Sequence, residues 1–274
     1  MWLRAAKTAL PAMRERGRAS GRWPCAGLKY GMPIILAIET SSELASCALL
    51  RGDVVIARES SGVRTHSQAI LPMVQELLAE AGLTLRDCDA IAYGAGPGSF
   101  TGVRTACGIA QGLGFGANLP VVPVVTLEAM ALACHQQSGA AEVMTVLDAR
   151  MGEVYWAQYR MGEGADCRPR IVAPPALAAP AAIAPLGQAS ACGNGFAAYP
   201  EAFEGKEFAL QAQRGVMPHA AQVAQLAASV LAAGGGVAAA DAQPLYLRNK
   251  IAFTSAERSA INAAKAIAAA EAAA

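Results

Sequence analysis

The segment of this sequence whose composition best suits chemistry is the glycine-rich turn GAGPGSFTG, Gly94 to Gly102. Glycine turns that open a helix leave backbone N–H groups free to hold an anion. Its details exclude the common forms. A P-loop requires Lys and Ser/Thr directly after its last glycine, where Val103 and Arg104 stand. A nucleophile elbow requires glycine two residues either side of its serine, and Ser99 has Pro97 and Thr101 there. The dinucleotide fingerprint fails too, with Ser99 in place of its third glycine. What remains is the helix behind the turn. Gly102, Ala106, Ala110 and Gly114 recur every four residues, so one stripe of that helix carries almost no bulk and its backbone can approach a neighbour closely. Each glycine in a helix costs about 1 kcal/mol relative to alanine, so a close contact must offset that cost. The neighbour is either the chain's own sheet or a helix of another subunit.

Two acids follow apolar strand-like runs, Glu39 after ILAI and Asp148 after VMTVL. A carboxylate there can order water around a magnesium ion or cap a turn. With the turn at Gly193 and Gly195 they form the candidate lining of a nucleotide cleft. No metal site is expected. His66, His135 and His219 lie far apart without a second ligand at i+4, and the seven cysteines make no CxxC. The odd, apolar-flanked cysteine set fits a reducing compartment.

The charge is unevenly spread. The first 31 residues carry seven cations against Glu15 alone, a net of +6, leaving −5 for the remainder. An acidic body is poorly suited to gripping a polyphosphate by itself, so any RNA contact is expected to need a partner. Residues 1–32 form a basic leader that matches either an organellar presequence or translation assigned from a start upstream of Met32, the second being favoured. No apolar run is long enough to span a bilayer, and the body reads as cytoplasmic.

These residues must be positioned by regular elements. ILAIE, ASCALL and VVIARE read as an antiparallel meander. HSQAILPMVQELLAEAG reads as a helix with Ile70, Leu71, Val74, Leu77, Leu78 and Ala81 on one face, Ser67 as its cap and a bend at Pro72. A strand over 89–96, the glycine turn, a helix to about Gly116, a strand over 120–126 and a helix over 127–137 follow. EVMTVLDAR and EVYWAQYR form a second meander, so the architecture looks duplicated. Residues 171–185 read as a surface excursion or a short strand and helix, ASACGNG as a buried strand ending in a glycine turn, and 219–233 as a helix. The alanine-rich tail, 254–274, lacks large apolar side chains to dock.

In order and spacing, ILAIETS, the HS-x-x-I-LP helix, GAGPGSFTGVRTACGIAQGLG, LDARMGEVYWA, CGNG and LYLRN are similar to the TsaB (YeaZ) family, over about Pro33 to Ala252. The resemblance implies an α/β, actin-like fold (the class of sugar kinases and Hsp70 ATPases) with two duplicated lobes, here 33–130 and 131–253. It implies a non-catalytic dimerisation subunit that pairs with a TsaD-like catalytic subunit, joined by a TsaE-like ATPase. Their complex transfers threonylcarbamoyl to N6 of adenosine 37 in tRNAs reading ANN codons, and this chain meets tRNA only through the complex. ATP and metal belong to the partners, and no cofactor is expected here. The catalytic relative's HxxxH metal pair is absent, since Ile70 stands four after His66. The family's subunit contact, built from two early helices, maps onto His66, Leu71, Val74, Leu78, Gly102, Val103, Ala106, Ala110 and Gly114, with a homodimer expected when the chain is alone. The alternative is a stand-alone actin-like kinase or ATPase using Glu39, Asp148, Gly193 and Gly195. A metallopeptidase is the weakest reading. The leader, the tail and Glu39, where the family often has aspartate, depart from the pattern.

Overall fold

The computed structural model describes residues 32–60, 66–162 and 168–248. The leader, except Met32, and the alanine-rich tail lie outside them. The first meander forms as β1 (Ile34–Glu39), β2 (Ala45–Arg51) and β3 (Val54–Ser60), paired antiparallel in sequence. Helix α1 (His66–Ala81) leads to β4 (Ala90–Gly96), α2 (Phe100–Ala117), β5 (Val121–Val125) and α3 (Thr126–Ser138). The first sheet has the order β3-β2-β1-β4-β5, with β1, β4 and β5 parallel. The second meander is β6 (Glu142–Asp148), β7 (Val154–Arg160) and β8 (Arg170–Ala178); β9 (Ser190–Cys192) joins β6 in parallel, giving a four-stranded sheet β8-β7-β6-β9. Two short helices, α4 (Gly195–Ala198) and α5 (Glu207–Leu210), precede α6 (Ala220–Ala232). A meander followed by a parallel strand is thus built twice.

Alternation along β1 divides the core. Ile34, Leu36 and Ile38 pack with α1 and α2, while Ile35 and Ala37 face the opposite side. Because both faces are covered, the strand reads IILAIE without polar alternation. The opposite side is a central core shared by both sheets, with α3 and α6 lying between them. Those two helices carry Ala129, Ala131, Ala133, Ala220, Ala224 and Ala227 as buried residues, small enough for close packing on either side. Although α6 comes from the C-terminal half of the chain, it packs on β1, β2, β4 and β5 of the first sheet. A third cluster, around Phe196, Phe203, Met144 and Val146, covers the outer face of the second sheet.

One local expectation changes and one open alternative is settled. Among the described residues helix α1 starts at His66, with Ser67 already helical and Pro72 in its interior. Leu71 turns away from the core and is 45% exposed, whereas Ile70, Val74 and Leu77 are buried. Residues 171–185 take the strand-and-helix alternative: edge strand β8, whose prolines sit where pairing with β7 is irregular, is followed by a 3-10 turn over Pro180–Ala182.

Candidate functional site: a helix face and an interlobe cleft

Helix α2 is set by its ends. The Ser99 hydroxyl accepts from the Gly102 amide at 3.4 Å, and Asn118 closes the helix in the left-handed region with φ 55°. Gly102 also receives the Thr40 hydroxyl on its carbonyl oxygen at 2.7 Å. A Cβ on Gly102 would collide with the Thr40 carbonyl oxygen, and one on Gly114 would lie 2.7 Å from Val121. Val103, Ala106 and Ala110 between them are buried. The ladder therefore faces inward. The close approach permitted by Gly102, Val103, Ala106, Ala110 and Gly114 is to the chain's own β1–β2 turn and sheet, so these five positions are buried within the fold instead of standing on its surface.

The same helix carries a second stripe on its opposite side. Gly108, Gly112 and Gly116 are exposed, and among the described residues a Cβ on any of them would meet nothing within 4 Å. Phe115 beside them is 83% exposed, and Leu71 is exposed on neighbouring α1. Val74 lies beneath α1, Leu78 is half-buried, and half-buried His66 places Nε2 3.4 Å from the Glu43 carbonyl oxygen. Among the described residues nothing offsets the helical cost of the three outer glycines, unlike that of Gly102 and Gly114. Sequence reading missed this stripe although its spacing of four is equally plain.

The second feature is a cavity of about 550 Å³ at the ends of both sheets. Ser41, Glu43 and Phe100 line it from the first lobe, and Leu147, Asp148 and Arg150 from the second. Residues 243–248 cross between the lobes as a strap. The Tyr93 hydroxyl donates to Gln243 O at 2.9 Å and Leu245 N to Ala95 O at 2.7 Å. At the far end Arg248 donates to the carbonyl oxygens of Ala149 and Arg150, at 2.9 and 3.1 Å, and pairs with Glu153 at 2.6 Å. Near the cavity mouth the Arg104 guanidinium lies 3.7 Å over the Phe100 ring and donates to the Tyr246 hydroxyl at 2.6 Å.

The four candidate cleft residues separate. Glu39 is wholly buried: one carboxyl oxygen accepts from the Ser41 amide at 2.5 Å, the other from the Thr126 hydroxyl at 3.4 Å. Its carboxyl fills the space that a side chain on Gly94 would occupy. Burial pushes its pKa up against the opposing pull of the Ser41 and Thr126 hydroxyls and the nearby backbone amides. Glu39 is therefore no cleft residue. Asp148 does reach the cavity, but it is engaged by the Arg150 amide at 2.7 Å, the Tyr199 hydroxyl at 2.9 Å and the Arg150 guanidinium at 3.1 Å. Gly193, with φ 113°, and Gly195 lack side chains because β6 passes too close at Val146, so they serve packing rather than the cavity wall. Asn194 between them lines the cavity and accepts from the Asp148 amide at 2.9 Å.

A two-lobed α/β molecule with the active ends of its sheets facing one cleft defines the actin-like class. In agreement, the family model described as TsaD, tRNA N6-adenosine threonylcarbamoyltransferase, matches residues 55–257. That class implies a magnesium nucleotide between the lobes, and among the described residues the charged groups lining the cavity are already engaged with one another. Both arginines lining the cavity are already paired, Arg150 with Glu43 and Asp148 and Arg248 with Glu153, while Glu39 is sealed away.

Within the class the likeness is more specific. The TsaB protein of Escherichia coli (strain K12), named for tRNA threonylcarbamoyladenosine biosynthesis, is 42% identical over 224 residues, covering 80% of this chain and 96% of that protein. The Haemophilus influenzae TsaB is 40% identical over 80% of this chain and 95% of its own length. The solved structure of YeaZ from Pseudomonas aeruginosa superposes with a TM-score of 0.72 at 37% identity, covering 79% of this chain and all of that one. The chain belongs to the TsaB (YeaZ) family. Among the described residues there is no cluster of three potential metal ligands and no helix long and apolar enough to cross a membrane.

Proposed function

We propose that this chain serves tRNA threonylcarbamoyladenosine biosynthesis as a non-catalytic docking subunit. It presents the outer face of α1 and α2 to a TsaD-like catalytic subunit, which a TsaE-like ATPase joins, and meets tRNA through that assembly. Family membership supports the pathway. The observation that carries the docking role is the outer stripe of Gly108, Gly112 and Gly116, three helix-weakening residues with open space above them beside exposed Leu71 and Phe115. A partner helix lying along the stripe gains backbone contact that a side chain would prevent. Alone, the chain is expected to pair with a second copy through the same face, in competition with the heterodimer. ATP and metal are assigned to the partners, and the cytoplasm is the expected compartment.

The stripe gives a sharp test, because folding and docking ask opposite things of Gly112. Replacing Gly112 by Leu should stabilise the chain by up to about 1 kcal/mol at concentrations dilute enough for it to be monomeric, since leucine is the better helix former. The same change should abolish co-purification with the TsaD-like subunit and the rescue of modified adenosine in a depleted strain. Retained co-purification with a bulky residue at 112 would move the interface elsewhere.

A further inference from the structure

We propose that Arg104 determines partner choice at the docking face, selecting a protein whose helix brings a carboxylate over a second copy of this chain. The inference rests on the docking role proposed above and names the chemistry that the face requires. Arg104 is exposed and stands four residues before Gly108, so it continues the stripe of Gly108, Gly112 and Gly116 at the N-terminal end of α2. A partner helix lying along those glycines reaches it one turn further on. Its guanidinium is already positioned. The Phe100 ring lies 3.7 Å from it, and Nε donates to the Tyr246 hydroxyl at 2.6 Å. Those contacts orient the plane and leave Nη1 and Nη2 without a hydrogen bond among the described residues. The two Nη groups form the fork that a carboxylate accepts from with both oxygens. Because the side chain is ordered beforehand, little conformational freedom is lost when the acid arrives.

A second copy docking through the same face has no free acid to offer. Helix α2, FTGVRTACGIAQGLGFGA, contains no acid at all. The acids of α1 are Glu76 and Glu80, and Arg58 of β3 engages both. Glu43, whose carbonyl oxygen lies beside His66 at the start of α1, has its carboxylate paired with Arg150. Two copies face to face therefore cover Arg104 without giving it a carboxylate, and a cation taken out of water unpaired is costly. A heterologous acid removes that cost. Charge placed in this way sets partner choice more than raw affinity.

The test measures two affinities of the full chain, for the TsaD-like subunit by calorimetry at low and high salt, and for itself by sedimentation equilibrium. Arg104→Gln should weaken the heterodimer about tenfold, the worth of one charged hydrogen bond, and flatten its salt dependence. Self-association should be unchanged or tighter. Arg104→Lys keeps the charge without the fork and should fall between parent and glutamine variant. Tyr246→Phe, which removes the acceptor that orients Nε, should weaken the heterodimer alone and serves if the glutamine variant does not fold; unchanged affinity there then overturns the proposal. Heterodimer affinity within about twofold of the parent in Arg104→Gln, an unaltered salt slope, or an equal loss in both assemblies would each overturn it. So would unchanged subunit affinity with weaker retention of tRNA by the assembled complex, which would assign the cation to RNA. If Gly112→Leu loses the partner while Arg104→Gln keeps it, docking stands and this inference alone falls. If both variants keep the partner, both readings fall.

Discussion

Among individual residues, His219 carries the clearest dependence on conditions. Its Nδ1 accepts from the Ala221 amide at 3.1 Å and so caps α6, while Nε2 lies 3.4 Å from Glu59. Burial pulls its pKa below the ordinary 6.5, outweighing the attraction of Glu59 in the other direction. A group held neutral by the fold binds fewer protons folded than unfolded, so stability falls as pH drops below 6.5. Urea unfolding from pH 7.5 down to about pH 5 should show that loss, and His219→Asn, which keeps a capping oxygen, should flatten the slope relative to the parent. An identical slope in the variant would assign the acid sensitivity to other groups. At this scale the sequence was informative about where acids sit and silent about their surroundings. Glu39 and Asp148 do end paired β-strands, yet the Thr40 hydroxyl on Gly102 O closes the turn over Glu39 while Asp148 stays at the cavity. Arg248 was not legible as a clasp, since its partners Ala149, Arg150 and Glu153 lie 95 to 99 residues away.

At the level of elements, periodicity located nearly every strand and helix, because buried strands and one-sided helices each leave a repeat in the chain. The orientation of α2 was not recoverable in that way. Both of its stripes are small and spaced by four, so hydrophobic pattern cannot say which lies inside. The structure separates them through the crowded ends, Gly102 under the β1–β2 turn and Gly114 against Val121. A bulky residue therefore has opposite consequences on the two faces. Ala106→Leu should destabilise the chain by about 1–3 kcal/mol through overpacking, measured by chemical denaturation. Little change in stability would mean that the helix shifts to accommodate it. The α1 face was drawn too wide for a related reason: apolar spacing marks Leu71 and Leu78 as readily as Leu77, and only Leu77 of the three is fully buried.

For the whole molecule, duplication suggested two lobes that could be divided near residue 130, and the packing shows what such a cut would expose. The inner face of the first sheet, including Ile35, Ala37, Ala48 and Leu50, shares one core with α3, α6 and the second sheet. A fragment ending at Ser138 would lack α6 and leave that face open to water. It should fail to show a cooperative thermal transition, and adding residues 139–248 in trans should restore one. A cooperative transition in the fragment alone would show that the first sheet folds without its late helix.

The placement of α6 also bears on synthesis. A ribosome delivers β1 first and Ala220–Ala232 nearly two hundred residues later, so the first strands spend most of translation without the helix that covers them. The nascent chain must keep an apolar sheet face out of unwanted company during that interval. Its two lobes are completed almost together, at the end.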